Sequence, residues 1–143
     1  MRAHAIELEI ALAASVPATW QAIVNDEHRA SWWPYLELDS RPGGRLTERW
    51  RDADGQEIVT SGEVLEAQAP HRLRCTWRDD AWVAGTEVDF QLRTEGDNAT
   101  RLRLRHGGWE RLGADGRQLR AAHVEGWQRH LGNLKAYVER PRA

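Results

Sequence analysis

At 143 residues, 41% apolar and 29% charged, the chain has the make-up of one folded domain rather than a disordered segment. Its 20 basic and 22 acidic residues are interspersed and leave a net charge of −2. That excludes the strong field expected of a nucleic-acid binder or of a protein drawn to an anionic membrane. The single cysteine, Cys75, excludes an internal disulfide framework, and no apolar run is long enough to span a bilayer. The opening Met1 to Glu7 lacks the continuous apolar stretch of a signal peptide, so a cytoplasmic location is expected. Eight tryptophans stand beside a single phenylalanine. Each buried indole removes about 150–250 Å² from water and seeks a partner for its N–H, so they cannot all be surface decoration.

Ile6, Leu8, Ile10 and Leu12 alternate with Glu7, Glu9 and Ala11, the period of a half-buried strand. Ser15-Val16-Pro17 then opens a short helix that gathers Trp20, Ile23 and Val24 on one face. Asn25-Asp26 offers a second cap, and the spacing predicts another short helix from Glu27 to Trp33, ending before Pro34. Leu36 to Asp39 reads as a brief strand, Arg41 to Gly44 as a turn, and Leu46 to Arg51 as a strand. Asp52-Ala53-Asp54-Gly55 is a hairpin turn into a strand over Ile58 to Glu66 with Gly62 inside it. After Ala69-Pro70-His71, the positions Leu73, Cys75 and Trp77 oppose Arg72, Arg74 and Arg78. Thr86, Val88, Phe90 and Leu92 then oppose Glu87, Asp89, Gln91 and Arg93, and Leu102 and Leu104 oppose Arg101, Arg103 and Arg105. Such patterning predicts an antiparallel sheet with one wet face, on which the arginine stripe pairs with Glu87, Asp89 and Gln91.

Gly107-Gly108 ends the strands, and a loop carrying Trp109 leads to Asp115 as an N-cap with Gln118 three residues on. From there to Arg140 the chain reads as one long amphipathic helix, with Leu119, His123, Trp127, Leu131, Leu134 and Val138 on its apolar stripe. Gly126 beside Trp127 would be costly in mid-helix, and close approach to the sheet is the expected reason.

The order strand, two short helices, a run of antiparallel strands and one long C-terminal helix resembles the α+β helix-grip (START-like, Bet v 1-like) fold of the SRPBCC superfamily. Trp32-Trp33-Pro34, Arg41-Pro42-Gly43-Gly44-Arg45, and Gly62 to Glu66 followed by Pro70-His71-Arg72-Leu73 are similar to the family of the C-terminal domain of the activator of Hsp90 ATPase. Thr100 to Leu104 and Glu125 to Leu131 extend the likeness to the last strand and the centre of the helix. The resemblance covers nearly the whole chain, read here as one domain over residues 1–143. It implies a helix lying across a curved sheet and a cleft that holds a small apolar ligand.

A pocket of roughly 300–1,000 Å³ between sheet and helix is therefore expected to hold a small apolar or aromatic molecule. From the N-terminal half its expected lining is Trp20, Trp32, Trp33, Glu48 and Trp50. Trp77, Phe90, Leu104, His123, Trp127 and Leu131 are expected to complete it. The same inward positions also describe an ordinary packed core. Glu48, His106 and His123 share the inward phase and are the candidates for acid–base chemistry, since burial shifts both carboxyl and imidazole; the resemblance makes a cyclase- or hydrolase-type enzyme the alternative. A third class is a protein-interaction module, co-chaperone-like, using the outer sheet or the loops of Trp82 and Trp109. His123 and His130 lie about 10 Å apart along a helix, too far to share an ion, so no metal and no cofactor is expected. Cys75, in phase with Leu73 and Trp77, reads as a buried thiol. The expected state is a monomer or homodimer.

Overall fold

The computed structural model describes residues 4–141, so the reading of Met1 to Ala3 lies outside the described residues. The alternating segments form strands β1 (Ile6–Leu12), β2 (Leu36–Leu38), β3 (Arg45–Arg51), β4 (Glu57–Gln68), β5 (Arg72–Asp79), β6 (Thr86–Thr94) and β7 (Thr100–Gly107). They make one antiparallel sheet in the order β1-β7-β6-β5-β4-β3-β2. Helices α1 (Val16–Val24) and α2 (Asp26–Ala30) join β1 to β2, and α3 (Gly116–Val138) crosses the sheet. Its 23 residues make a rod of about 34 Å. This is the α+β helix-grip arrangement that the resemblance implies.

Local chemistry sets the boundaries of the short helices. Ser15 Oγ accepts the Ala18 N–H at 3.2 Å, and Pro17 occupies the first turn of α1. Asn25 Oδ1 accepts from the N–H groups of both Glu27 and His28 at the start of α2. Helix α2 stops at Ala30, three residues short of the expected Trp33. The reason is Arg29, which is only 3% exposed. Its guanidinium donates to Ile23 O at 3.0 Å, Leu36 O at 3.3 Å and Asp26 Oδ1 at 2.6 Å, binding α1, α2 and β2 together. The chain then leaves the helix in tight turns that aim Trp32 and Trp33 inward.

Two further expectations fail near α3. The segment after Gly108 is a 3₁₀ turn, Trp109–Asp115, kinked at Gly113, rather than a loop. Asp115 stands in helical backbone and makes no side-chain cap, because the preceding turn already runs into the helix. On the sheet's outer face the arginine stripe pairs mainly with β1 rather than β6. Arg101 meets Glu9 at 3.4 Å and Glu95 at 2.9 Å, while Arg103 and Arg105 both reach Glu7. Asp89 and Glu87 are engaged from elsewhere, by Arg72 and by Arg74 and Arg111.

The inner face carries the core. Val64, Leu73, Cys75, Val88, Leu102 and Leu104 are sealed beneath Trp127, Leu131 and Leu134 of α3. Burial pushes the Cys75 thiol up to about 12, which leaves it inert. At the sheet's β1 edge, α3 also covers open backbone groups: Arg120 donates to His4 O and Ala5 O, Lys135 to Ala11 O, and Glu139 accepts the Ala13 N–H. An edge so occupied offers little to a second strand.

Glycine positions separate packing from propensity. A Cβ on Gly62 would lie 2.0 Å from Thr76 O, so β4 and β5 approach there only because that atom is missing. Gly126 is the reverse of what its sequence context predicts: a Cβ there meets nothing nearer than Arg129 at 4.0 Å. Gly62→Ala should therefore lose about 2–4 kcal/mol in urea denaturation, whereas Gly126→Ala should gain about 1 kcal/mol through helix propensity.

Candidate functional site

Sheet and helix meet over a nearly filled interior. The enclosed space beneath α3, bordered by Leu73, Val88, Phe90, Trp127, Leu131 and Leu134, amounts to only about 20 Å³, room for about one water. The roomy space lies beside it. An open cleft of about 430 Å³ runs between α3 and strands β3 and β4. Trp33, Trp50, Trp77 and Trp127 form its apolar walls, and Glu48, Thr60, His123 and His130 are its inner polar groups. Tyr35, Arg51, Arg129 and Asn133 also line it.

Register explains the polar row that starts at Glu48 and Thr60 on the cleft floor and ends at Asp79 behind it. Glu48 of β3 lies opposite Thr60 of β4, and Thr60 opposite Asp79 of β5, so the three side chains follow one another across adjacent strands. Trp50 Nε1 donates to Thr60 Oγ1 at 3.0 Å, and the Thr60 hydroxyl donates to Asp79 Oδ1 at 2.5 Å. Glu48 Oε2 accepts from Trp33 Nε1 at 2.7 Å. Burial pushes the Glu48 carboxyl above its ordinary range, the Trp33 N–H opposes that shift, and the nearby Asp79 charge reinforces it. Asp79 is likewise raised by burial, against the Thr60 hydrogen bond and the field of His123.

The three histidines of this region have different roles. His106 is completely buried. Its Nδ1 accepts from Trp127 Nε1 at 3.0 Å, and the Thr86 hydroxyl donates to Trp77 O at 2.7 Å. That hydroxyl is therefore left to accept from His106 Nε2–H, 2.7 Å away. With both nitrogens used and no path to the cleft, His106 is a core group rather than the acid–base candidate expected of it. Burial holds it neutral, well below the ordinary imidazole range. His123 does line the cleft, but its Nδ1 lies 2.9 Å from Leu119 O and its Nε2 accepts from Trp77 Nε1 at 3.2 Å. Asp79 Oδ2 is 4.0 Å from that same Nε2. Burial lowers His123, with Asp79 opposing.

His130 stacks on Trp33 with ring centres 3.8 Å apart. Its Nδ1 is buried without a partner among the described residues, and burial, then Arg129 and His123, bring it down to about 4. Sequence reasoning considered it only as a metal ligand; its position three residues after Trp127 was the signal that it belongs to the same face. Thr60 and Asp79 were also missed, although Asp79 continues the inward phase of Cys75 and Trp77.

Of the expected lining, Trp32, Trp33, Glu48, Trp50, Trp77, His123 and Trp127 border the open cleft. Phe90 and Leu131 border only the small enclosed space, and Trp20 and Leu104 line neither, being packed core at 5% and 0% exposure. Trp82 and Trp109 are buried around His123 rather than displayed, which removes the aromatic loop surface suggested for an interaction module. Among the described residues no group of His, Cys, Asp or Glu is placed to hold a metal ion, and no helix is long and apolar enough to cross a membrane.

The family model for Activator of Hsp90 ATPase homolog 1-like protein matches residues 13–139. The chain belongs to this family. No curated protein matches the sequence. CalU16 from Micromonospora echinospora superposes with a TM-score of 0.76 at 23% identity, over 95% of this chain and 76% of that one. CV1439 from Chromobacterium violaceum gives 0.77 at 23% identity, over 97% of this chain and 100% of that one. DynU16, of the dynemicin biosynthetic locus, gives 0.76 at 23%, over 97% of this chain and 48% of that one. At these identities the likeness shows the fold alone.

The lowered His130 has a consequence for stability. An unfolded chain takes up this proton below about 6.5, whereas the folded protein resists until about 4. Its contribution is thus complete above about 6.5 and is lost as pH falls through 4. His130→Phe keeps the stack on Trp33 without the titration. Between pH 7 and 4.5, wild type should lose about 2–3 kcal/mol more than this variant in urea denaturation.

Proposed function

We propose that the protein binds a small, largely apolar or aromatic molecule in the open cleft between α3 and strands β3 and β4. The observation that carries this reading is the contrast between the two spaces: the interior beneath α3 is filled, while four indoles face an accessible cleft of about 430 Å³. That volume lies within the range usual for small-molecule sites, as does the combination of aromatic walls with a few inner polar groups. Planar ligands gain most here, because Trp50, the least buried of the four indoles, can offer its ring for offset or T-shaped contacts. DynU16's place in a biosynthetic locus accords with a fold that handles small molecules.

Trp50 provides the cleanest test. It is half-buried, and its removal leaves the core beneath α3 untouched. Native mass spectrometry of the purified protein and quenching of tryptophan fluorescence by a panel of flavonoids, fatty acids and other aromatics should reveal a saturable ligand. Trp50→Ala should weaken that ligand at least tenfold, about 1.4 kcal/mol or more, with little change in melting temperature. Saturable binding that Trp50→Ala leaves unaltered would place the ligand elsewhere.

A further inference from the structure

We propose that Glu48 is a general base, which removes a proton from carbon on a planar, largely apolar ligand held among the indoles of the cleft. This rests on the binding reading above and assigns a reaction to the same site. Elimination among the carboxyl and imidazole groups at the cleft leads to Glu48. His130 is stacked on Trp33 with its Nδ1 sealed from solvent, and burial makes it a weak base. His123 has both ring nitrogens engaged, by Leu119 O and by Trp77 Nε1. His106 is sealed beneath Trp127, and Asp79 is held by the Thr60 hydroxyl and does not line the cleft. Glu48 differs. One oxygen, Oε2, is fixed by Trp33 Nε1 at 2.7 Å. The other, Oε1, has no hydrogen bond among the described residues and is not sealed from the cleft.

A carboxylate anchored through one oxygen and poorly solvated at the other is a stronger base than one in water, and its burial-raised affinity for protons agrees with that. The charges facing it are Asp79 on β5, which strengthens the base, and Arg129 on α3, which moderates it. Arg51 of β3 and two histidines of α3, His123 and His130, border the same cleft, and burial holds both imidazoles toward neutrality. The substrate class follows from the site: a flat molecule with one C–H made acidic by an adjacent carbonyl or heteroatom. Its proton passes to Glu48 Oε1, the C–H electron pair enters the ligand's π system, and the proton leaves to water afterwards. No oxidant, reductant or second substrate is needed.

Nitrobenzisoxazole is a suitable probe because it is planar and opens by this step alone. Loss of its ring C–H proton forms a nitrile as the N–O bond breaks, and the oxygen leaves as a coloured phenolate. Quenching of tryptophan fluorescence reports its binding, and phenolate release reports the reaction. The expected result is saturable quenching together with phenolate formed above the buffer rate, rising with pH through one ionisation. Glu48→Gln keeps an acceptor for Trp33, so it should still bind the probe and lose the rate at least tenfold. Glu48→Asp should retain part of it. If the probe binds but its rate in wild type shows no ionisation, or is unchanged in a folded Glu48→Gln, the base assignment is overturned and the binding reading stands. If the probe does not bind, both fail for ligands of this class.

Discussion

The position of α3 on the sheet depends on a chain of buried hydrogen bonds that starts at its one fully buried aromatic. Trp127 Nε1 donates to His106 of β7, His106 to Thr86 of β6, and Thr86 to the backbone of Trp77 in β5. Each group in the chain is satisfied, so none carries the penalty of an unpaired buried polar atom. Along its other flank the helix and its C-cap are fastened to β1 and the residues flanking it through Arg120, Lys135 and Glu139. Among the described residues no hydrogen bond ties the helix to β3 or β4. The helix is thus held to one half of the sheet, and the gap toward the other half becomes the cleft.

This arrangement accounts for the preference for tryptophan over phenylalanine. Phenylalanine would fill the same volumes without directing anything. The indole N–H groups of Trp32, Trp33, Trp50, Trp77, Trp109 and Trp127 each donate to a named acceptor: Ala22 O, Glu48, Thr60, His123, His106 O and His106 Nδ1. Each bond sets a ring plane, and together the planes shape the cleft walls. One set of residues therefore does two jobs, excluding water from the interior and orienting the polar groups at its open side.

The interior is uneven in how completely its polar atoms are satisfied. His106 is fully paired, while among the described residues His130 Nδ1 is buried without a partner and Glu48 keeps one oxygen free. Incomplete satisfaction costs stability, and proteins tend to concentrate such costs where binding or chemistry needs them. These two border the cleft, whereas Thr19 Oγ1 of α1, also buried and unpaired among the described residues, lies away from it.

Period-2 alternation and a 3–4 stripe are local properties, and they determined the strands, α3, the inward phase of Glu48, Trp77, His123 and Trp127, and hence the fold class. Caps at Ser15 and Asn25 were equally local. Inward phase, however, does not distinguish a packed core from a cleft wall: Phe90 and Trp50 share it, yet one lies over the filled interior and the other beside open space. Pairing across strands was also beyond sequence patterning, because register links residues far apart in the chain. It set Thr60 between Glu48 and Asp79, turned the outer arginines toward β1, and let Arg29 bind two helices to β2. The tertiary structure alone decided which inward polar groups are satisfied, and so which remain available for chemistry.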